Sequence, residues 1–220
     1  MKITQPALAA LAIGPVGGSL LTAAPASADS GSTTTTTTFT SQSCVAQVKA
    51  IAAQRNVDPS HELLVCSGTI SVTEAPARVA SIADVTAYAV KEHLTPGQTQ
   101  ALLTSAAASA IYYRSWTHAY FSGAVHEVHT GRTYWNGSRA WIASYLGYSG
   151  SHTCHAQGSW AAGWTVTPIS CSRPSAGSSA DAYYRFDESV AFKGSPITLG
   201  VGLHYSTAAN GSVSTWQVGG

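Results

Sequence analysis

The chain is short of charge. Only 10% of its 220 residues are Asp, Glu, Lys or Arg, and eleven basic side chains face ten acidic ones. An average soluble protein carries about 25%. A polyanion binder needs clustered cations, so nucleic acid is excluded as a partner class. The chain also lacks a long apolar run, and no segment has enough consecutive apolar residues to cross a bilayer. Scarce charge does not mean disorder here, because 45% of residues are hydrophobic and ten Tyr and six Trp supply packing area. One domain is the expectation at this length.

Lys2 is the sole charge before Asp29. A basic start, a small apolar stretch from Ala7 to Leu21, and Ala26-Ser27-Ala28 form the order of a secretory signal peptide, residues 1–28. Pro15, Gly17 and Gly18 break the apolar stretch, so it reads as an export signal and not a span. Cleavage after Ala28 leaves ten basic and ten acidic side chains, and such a neutral secreted protein has little electrostatic steering. Four cysteines follow the cleavage point: Cys44, Cys66, Cys154 and Cys171. An even count in an exported chain reads as disulfides. Three connectivities are open, and sequential pairing, Cys44 with Cys66 and Cys154 with Cys171, closes the shortest loops and is the expectation.

Residues 29–43 read DSGSTTTTTTFTSQS. Such a polar tract buries too little apolar surface to offset its ordering entropy, so disorder is predicted for the free arm. Thr nevertheless favours extended backbone, and the alternative is an arm that pairs with a sheet edge or fills a cleft on another protein. Residues 44–220 are then the single folded domain. Val45, Val48, Ile51 and Ala52 recur at helical spacing over 45–55. A segment from Leu63 to Val72 is extended, Ile82 to His93 reads as helix, and Thr95-Pro96 caps a further helix.

The second half changes period. Strands are predicted over 112–121, 125–134, 139–145, 160–169, 182–192, 197–205 and 213–218, with hairpin turns at Asn136-Gly137 and Asn210-Gly211. The expected class is α+β: N-terminal Ala-rich helices packed on one face of a mainly antiparallel sheet or sandwich, with two disulfides. The sequons at Asn136 and Asn210 fall on those turns and read as turns.

His126, His129, His152 and His155 lie near Cys154, which invites a zinc reading. Residues three apart on a strand point to opposite faces, so His126 and His129 do not converge, and Cys154 has a disulfide partner. No metal or cofactor site is expected. Gly147-Tyr148-Ser149-Gly150-Ser151 approaches a nucleophile elbow but lacks the final Gly, so Ser149 reads as a turn residue. Glu127, Asp187 and Glu188 could serve a hydrolase only if two of them opposed across a cleft. Asp187 and Glu188 point apart if they share a strand, and a strand end or turn explains them better. Aromatics crowd the stretch from Tyr112 to Trp164, Trp160 among them, and read as sheet core with a fraction left as a partner or sugar platform.

A signal peptide, a Thr-rich mature N-terminus ending near Phe39, four Cys, Ala-rich helices and an aromatic β-rich half ending at Gly219-Gly220 together resemble the small adaptor subunit of actinobacterial umbrella toxin particles. The resemblance covers most of the mature chain. It implies a non-enzymatic adaptor that joins a lectin-bearing secreted subunit to a large repeat-containing toxin polypeptide. It further implies that the arm, Ser30 to Ser43, enters a cleft of the lectin subunit, with Thr33, Thr34, Thr35, Thr36, Thr37 and Thr38 as its contacts and Phe39 as its apolar anchor. A secreted hydrolase or a stand-alone carbohydrate-binding module is the alternative reading.

Overall fold

The computed structural model describes residues 31–219, apart from 61, 109, 124 and 160–162. Residues 1–28, expected from the sequence to be a signal peptide, and the first residues of the arm lie outside the described residues, as does Trp160.

The chain opens with strand β1, Thr33–Thr40, and passes directly into helix α1, Gln42–Arg55. Ser41 makes that junction: its Oγ accepts the Cys44 N–H (3.1 Å), the ordinary N-cap bond. A short 3-10 turn, Glu62–Cys66, leads into β2, Ser67–Glu74. The two-residue β3, Arg78–Val79, precedes helices α2, Ile82–Lys91, and α3, Pro96–Ala107. At the latter, Pro96 sits in the first turn behind a Thr95/Gln98 capping box, as its sequence predicts.

Eight more strands follow: β4, Tyr112–Ser122; β5, Val125–Trp135; β6, Ala140–Trp141; β7, Ser151–Ser159; β8, Trp164–Cys171; β9, Ser179–Phe192; β10, Ser195–Ala208; and β11, Val213–Gly219. They form two antiparallel sheets. One has seven strands along the path β1-β2-β4-β5-β6, with β3 on β4 and β7 on β5; the other has four in the order β11-β10-β9-β8. Asn136 and Asn210 build the tight turns expected of them. Asn136 Oδ1 accepts from the N–H groups of Ser138 and Arg139, Asn210 Oδ1 accepts from that of Ser212, and Gly137 and Gly211 take φ of 86° and 85°.

The two sheets face each other. Trp116, His118 and Tyr120 of β4 point inward with Glu127 and His129 of β5, against Tyr184, Phe186 and Glu188 of β9 and Leu203 and Tyr205 of β10. This period of two follows from the pleat. Both disulfides are sequential, Cys44–Cys66 and Cys154–Cys171. The α+β class with an antiparallel sandwich is therefore observed.

Four sequence expectations need correction. Thr33–Thr40 is not a disordered arm: it pairs along its length with β2, from Thr33 opposite Glu74 to Thr40 opposite Ser67. Composition counts only the side chains, whereas the backbone groups of a strand are satisfied by the ladder of its neighbour. The strand predicted over 139–145 shrinks to Ala140–Trp141, because the N–H groups of Ile142 and Ala143 both go to the Pro174 carbonyl and the chain then turns back at Tyr145–Tyr148. Residues 151–159 form β7, a strand outside those predicted. The helices also do not share one face. Helix α1 packs through Val48 and Ala52 on Ile197 and Leu199 of β10, while α2 and α3 pack around Tyr134, Trp141 and Tyr148.

Candidate functional site

Strand β1 ends the path of the larger sheet, and β11 ends the smaller one. Thr33, Thr35 and Thr37 turn their side chains toward Val213 and Thr215 of β11, enclosing a groove of about 220 Å³ floored by Ile70 and Val72. The alternate residues face outward beside hydroxyls of β2: Thr34 Oγ1 lies 2.9 Å from Thr73 Oγ1, and Thr40 Oγ1 lies 3.1 Å from Ser67 Oγ. Seven of the eight side chains of β1 are exposed, and none is charged. Natural edge strands are usually blunted by Lys, Pro, a bulge or shortness. This one has none of those features, and among the described residues no strand covers its outer side.

Phe39 is the exception to that exposure. Its ring stacks on Tyr120 at 5.1 Å and lies over Gly68, where a β-carbon would fall 2.8 Å from the ring. The anchor role that the resemblance assigns to Phe39 is thus filled within the chain itself, where it pins β1 to the sandwich interior. Thr33 to Thr38 remain on the surface.

The interior is more polar than the sequence suggested. Three tyrosine hydroxyls each reach across the sandwich to a glutamate: Tyr120 donates to Glu188 Oε1 (2.7 Å), Tyr184 to Glu127 Oε2 (2.6 Å), and Tyr205 to Glu74 Oε1 (2.7 Å). Ser122 Oγ adds a bond to Glu188, and Arg114 pairs with Glu74 at 3.2 Å. Glu127 and Glu188 are 0% and 1% exposed. Burial pushes the Glu188 carboxyl above its ordinary value, against the two hydroxyl bonds that lower it. Asp187 and Glu188 do point apart, but in mid-strand on β9 and not at a turn. Two of the three acids proposed for a hydrolase therefore bolt the sheets together and do not line a cleft. Ser149 is exposed just past the Tyr145–Tyr148 turn, where Arg173 donates to its Oγ (2.9 Å).

His126 and His129 fall on opposite faces of β5, as the strand period requires. What the sequence reading missed is a different convergence. His129 Nε2 lies 3.0 Å from His118 Nδ1, and His129 Nδ1 lies 2.9 Å from His152 Nε2; His152 Nδ1 bonds the Ser172 carbonyl. Burial lowers all three rings below the usual histidine value, His118 to about 4, and the neighbouring imidazoles add to the effect at His129. Burial thus favours the neutral form of each ring. The signal lay in cross-strand register, with His118 opposite His129 and His129 opposite Cys154, and no spacing along one segment reveals that.

Most of the aromatic-rich stretch is core, including Trp116, Tyr134, Trp135, Trp141 and Trp164. Tyr112 and Phe121 are exposed, and Trp216, outside that stretch, is 42% exposed. Trp216 stacks on His204 at 4.4 Å, and His204 stacks on Tyr183 at 4.4 Å.

The fold and the two disulfides define a disulfide-stapled antiparallel sandwich of an oxidising compartment. No helix among the described residues is long and apolar enough to cross a membrane. Comparison with protein-family models, with curated proteins and with solved structures finds no match to this chain.

Proposed function

We propose that this protein is a secreted, non-enzymatic adaptor whose strand β1 is the docking element for a partner. One observation carries the reading: an eight-residue, uncharged, unbulged edge strand stands open beside a groove between the two sheets. An added strand would gain main-chain hydrogen bonds from the open edge of β1, and its alternate side chains would enter the groove. Ile70, Val72 and Val213 give the groove an apolar patch that rewards burial, while the Thr hydroxyls and the Glu74 carboxylate supply polar groups for register. The partners implied by the resemblance are a lectin-bearing secreted subunit and a large repeat-containing toxin polypeptide, and the product of their assembly is an antibacterial toxin complex.

The test is capture from culture supernatant with the tagged chain, read by mass spectrometry for both larger partners. Thr35→Lys with Thr37→Lys puts two charges into the groove and should reduce recovery of one partner at least tenfold with the melting temperature preserved. Full recovery by that variant removes β1 from the interface. Turnover of a polysaccharide by the isolated chain overturns the adaptor reading altogether.

The Tyr183–His204–Trp216 stack favours one second reading, a carbohydrate platform, because an exposed aromatic face suits the apolar face of a sugar ring. Retention on a glycan resin without partners, lost in Trp216→Ala, distinguishes it.

A further inference from the structure

The row of donors across β4, β5 and β7 has a consequence beyond packing. His129 stands directly opposite Cys154, and His152, two residues before Cys154, shares its face. His152 Nε2 is 2.9 Å from His129 Nδ1 and 3.4 Å from Cys154 Sγ, and the three donor atoms all lie within 4.8 Å of one another. In a tetrahedral zinc site, with Zn–N near 2.0–2.1 Å and Zn–S near 2.3 Å, neighbouring N and S donors are about 3.3–3.7 Å apart. The nitrogens need to separate by only a few tenths of an ångström to reach that spacing. Cys171 of β8 is the disulfide partner of Cys154; its Sγ lies 3.7 Å from His152 Nδ1, the ring nitrogen turned away from the metal, so once the bond is cleaved its side chain must swing toward the other three donors to serve as the fourth.

The surroundings also match. Metal-bound histidines normally give their second ring nitrogen to a carbonyl or another acceptor, which fixes tautomer and ring plane. His152 Nδ1 bonds the Ser172 carbonyl, and His129 Nε2 is held by His118 Nδ1.

We propose that the Cys154–Cys171 disulfide caps a latent Cys2His2 zinc site, opened when a small thiol reduces the bond and formed by His129 Nδ1, His152 Nε2 and the two freed sulfurs.

The step balances. Two thiols give two electrons and two protons; the S–S bond breaks, one external disulfide forms, and Cys154 and Cys171 become thiols. Zinc binding releases both thiol protons. The Ser172 carbonyl fixes the proton of His152 on Nδ1, so the His152 Nε2 lone pair accepts the His129 Nδ1–H before the metal enters. On binding, that imidazole proton shifts to His129 Nε2 and donates to His118 Nδ1. The His118 proton moves to its own Nε2, a buried atom with no hydrogen-bond partner among the described residues. No imidazole changes charge.

Access distinguishes the two disulfides. Cys171 is exposed, so an external thiolate can attack its sulfur and release Cys154 beside His152. Cys44, on the inward side of α1, and Cys66 are 0% and 1% exposed. The exchange would replace a covalent staple between β7 and β8, one from each sheet, by a metal staple at the same place.

The experiment uses the full chain, reduced with dithiothreitol, desalted under nitrogen and titrated with Co²⁺. One equivalent should bind with the visible d–d absorption of a tetrahedral thiolate–imidazole site, and one equivalent of Zn²⁺ should displace it, while the oxidised chain binds none. His152→Gln, at a half-buried position, should weaken Co²⁺ binding at least tenfold. Zn²⁺ should raise the melting temperature of the reduced parent by several degrees. The proposal is overturned by a reduced chain that binds no cobalt or by equal binding in the reduced His152→Gln variant. It is also overturned by a reduced chain that unfolds and is not restored by zinc.

Discussion

At the scale of single residues, the burial of Glu188 gives the sandwich a pH dependence. Because burial raises the Glu188 carboxyl, the folded chain holds that proton more tightly than the unfolded one. The stability this contributes is complete below the ordinary carboxyl range and is lost as pH rises through the raised folded-state value. Glu188→Gln keeps an acceptor for Tyr120 and cannot ionise. It should match the parent near pH 4 and exceed it at pH 7.5, the gap widening by at most ~1.4 kcal/mol per pH unit. Urea unfolding at the two pH values checks this, and a gap of opposite sign would show that the charged form is the better packed. Tyr184→Phe removes the hydroxyl donor to Glu127 inside the same interior. It should cost about 1–3 kcal/mol in the same assay.

At the scale of elements, β1 is held by its ladder to β2 and by one ring. Phe39→Ala removes the stack on Tyr120 and empties the space over Gly68. The ring is partly exposed, so the expected loss is about 1–3 kcal/mol, below that of a fully buried Phe. Hydrogen exchange should show the loss concentrated in the amides of β1 and β2; uniform acceleration across β9 and β10 would show that β1 is integral to global stability. The helices were legible where chemistry is local. The Thr95-Pro96 cap and the Asn-Gly turns act within a few residues, and each appears where its sequence puts it. Strand β7 was not legible, because its pattern of Ser, His, Thr and Cys is polar on both faces and its inward side is defined only by β5.

At the scale of the whole molecule, the Cys44–Cys66 bridge ties α1 to the 3-10 turn that leads into β2, and so holds α1 against β10. Replacing both cysteines by alanine should cost about 3 kcal/mol, measured by urea unfolding of the oxidised chain. Non-reducing peptide mapping should return the two sequential bridges; a Cys44–Cys154 peptide contradicts the structure.

The sequence by itself determined the class of molecule: an α+β body with paired cysteines, inward-alternating aromatic strands and turns at Asn136 and Asn210. Those features rest on backbone preferences and side-chain periods that act over a few residues. The tertiary structure alone decided that the Thr tract is an edge strand, that Glu127 and Glu188 face tyrosines across the sandwich, and that His118, His129, His152 and Cys154 meet. Each of these depends on register between strands and on the stacking of two sheets. Shifting a strand by one residue turns every one of those side chains to the other face, and no local preference carries that information.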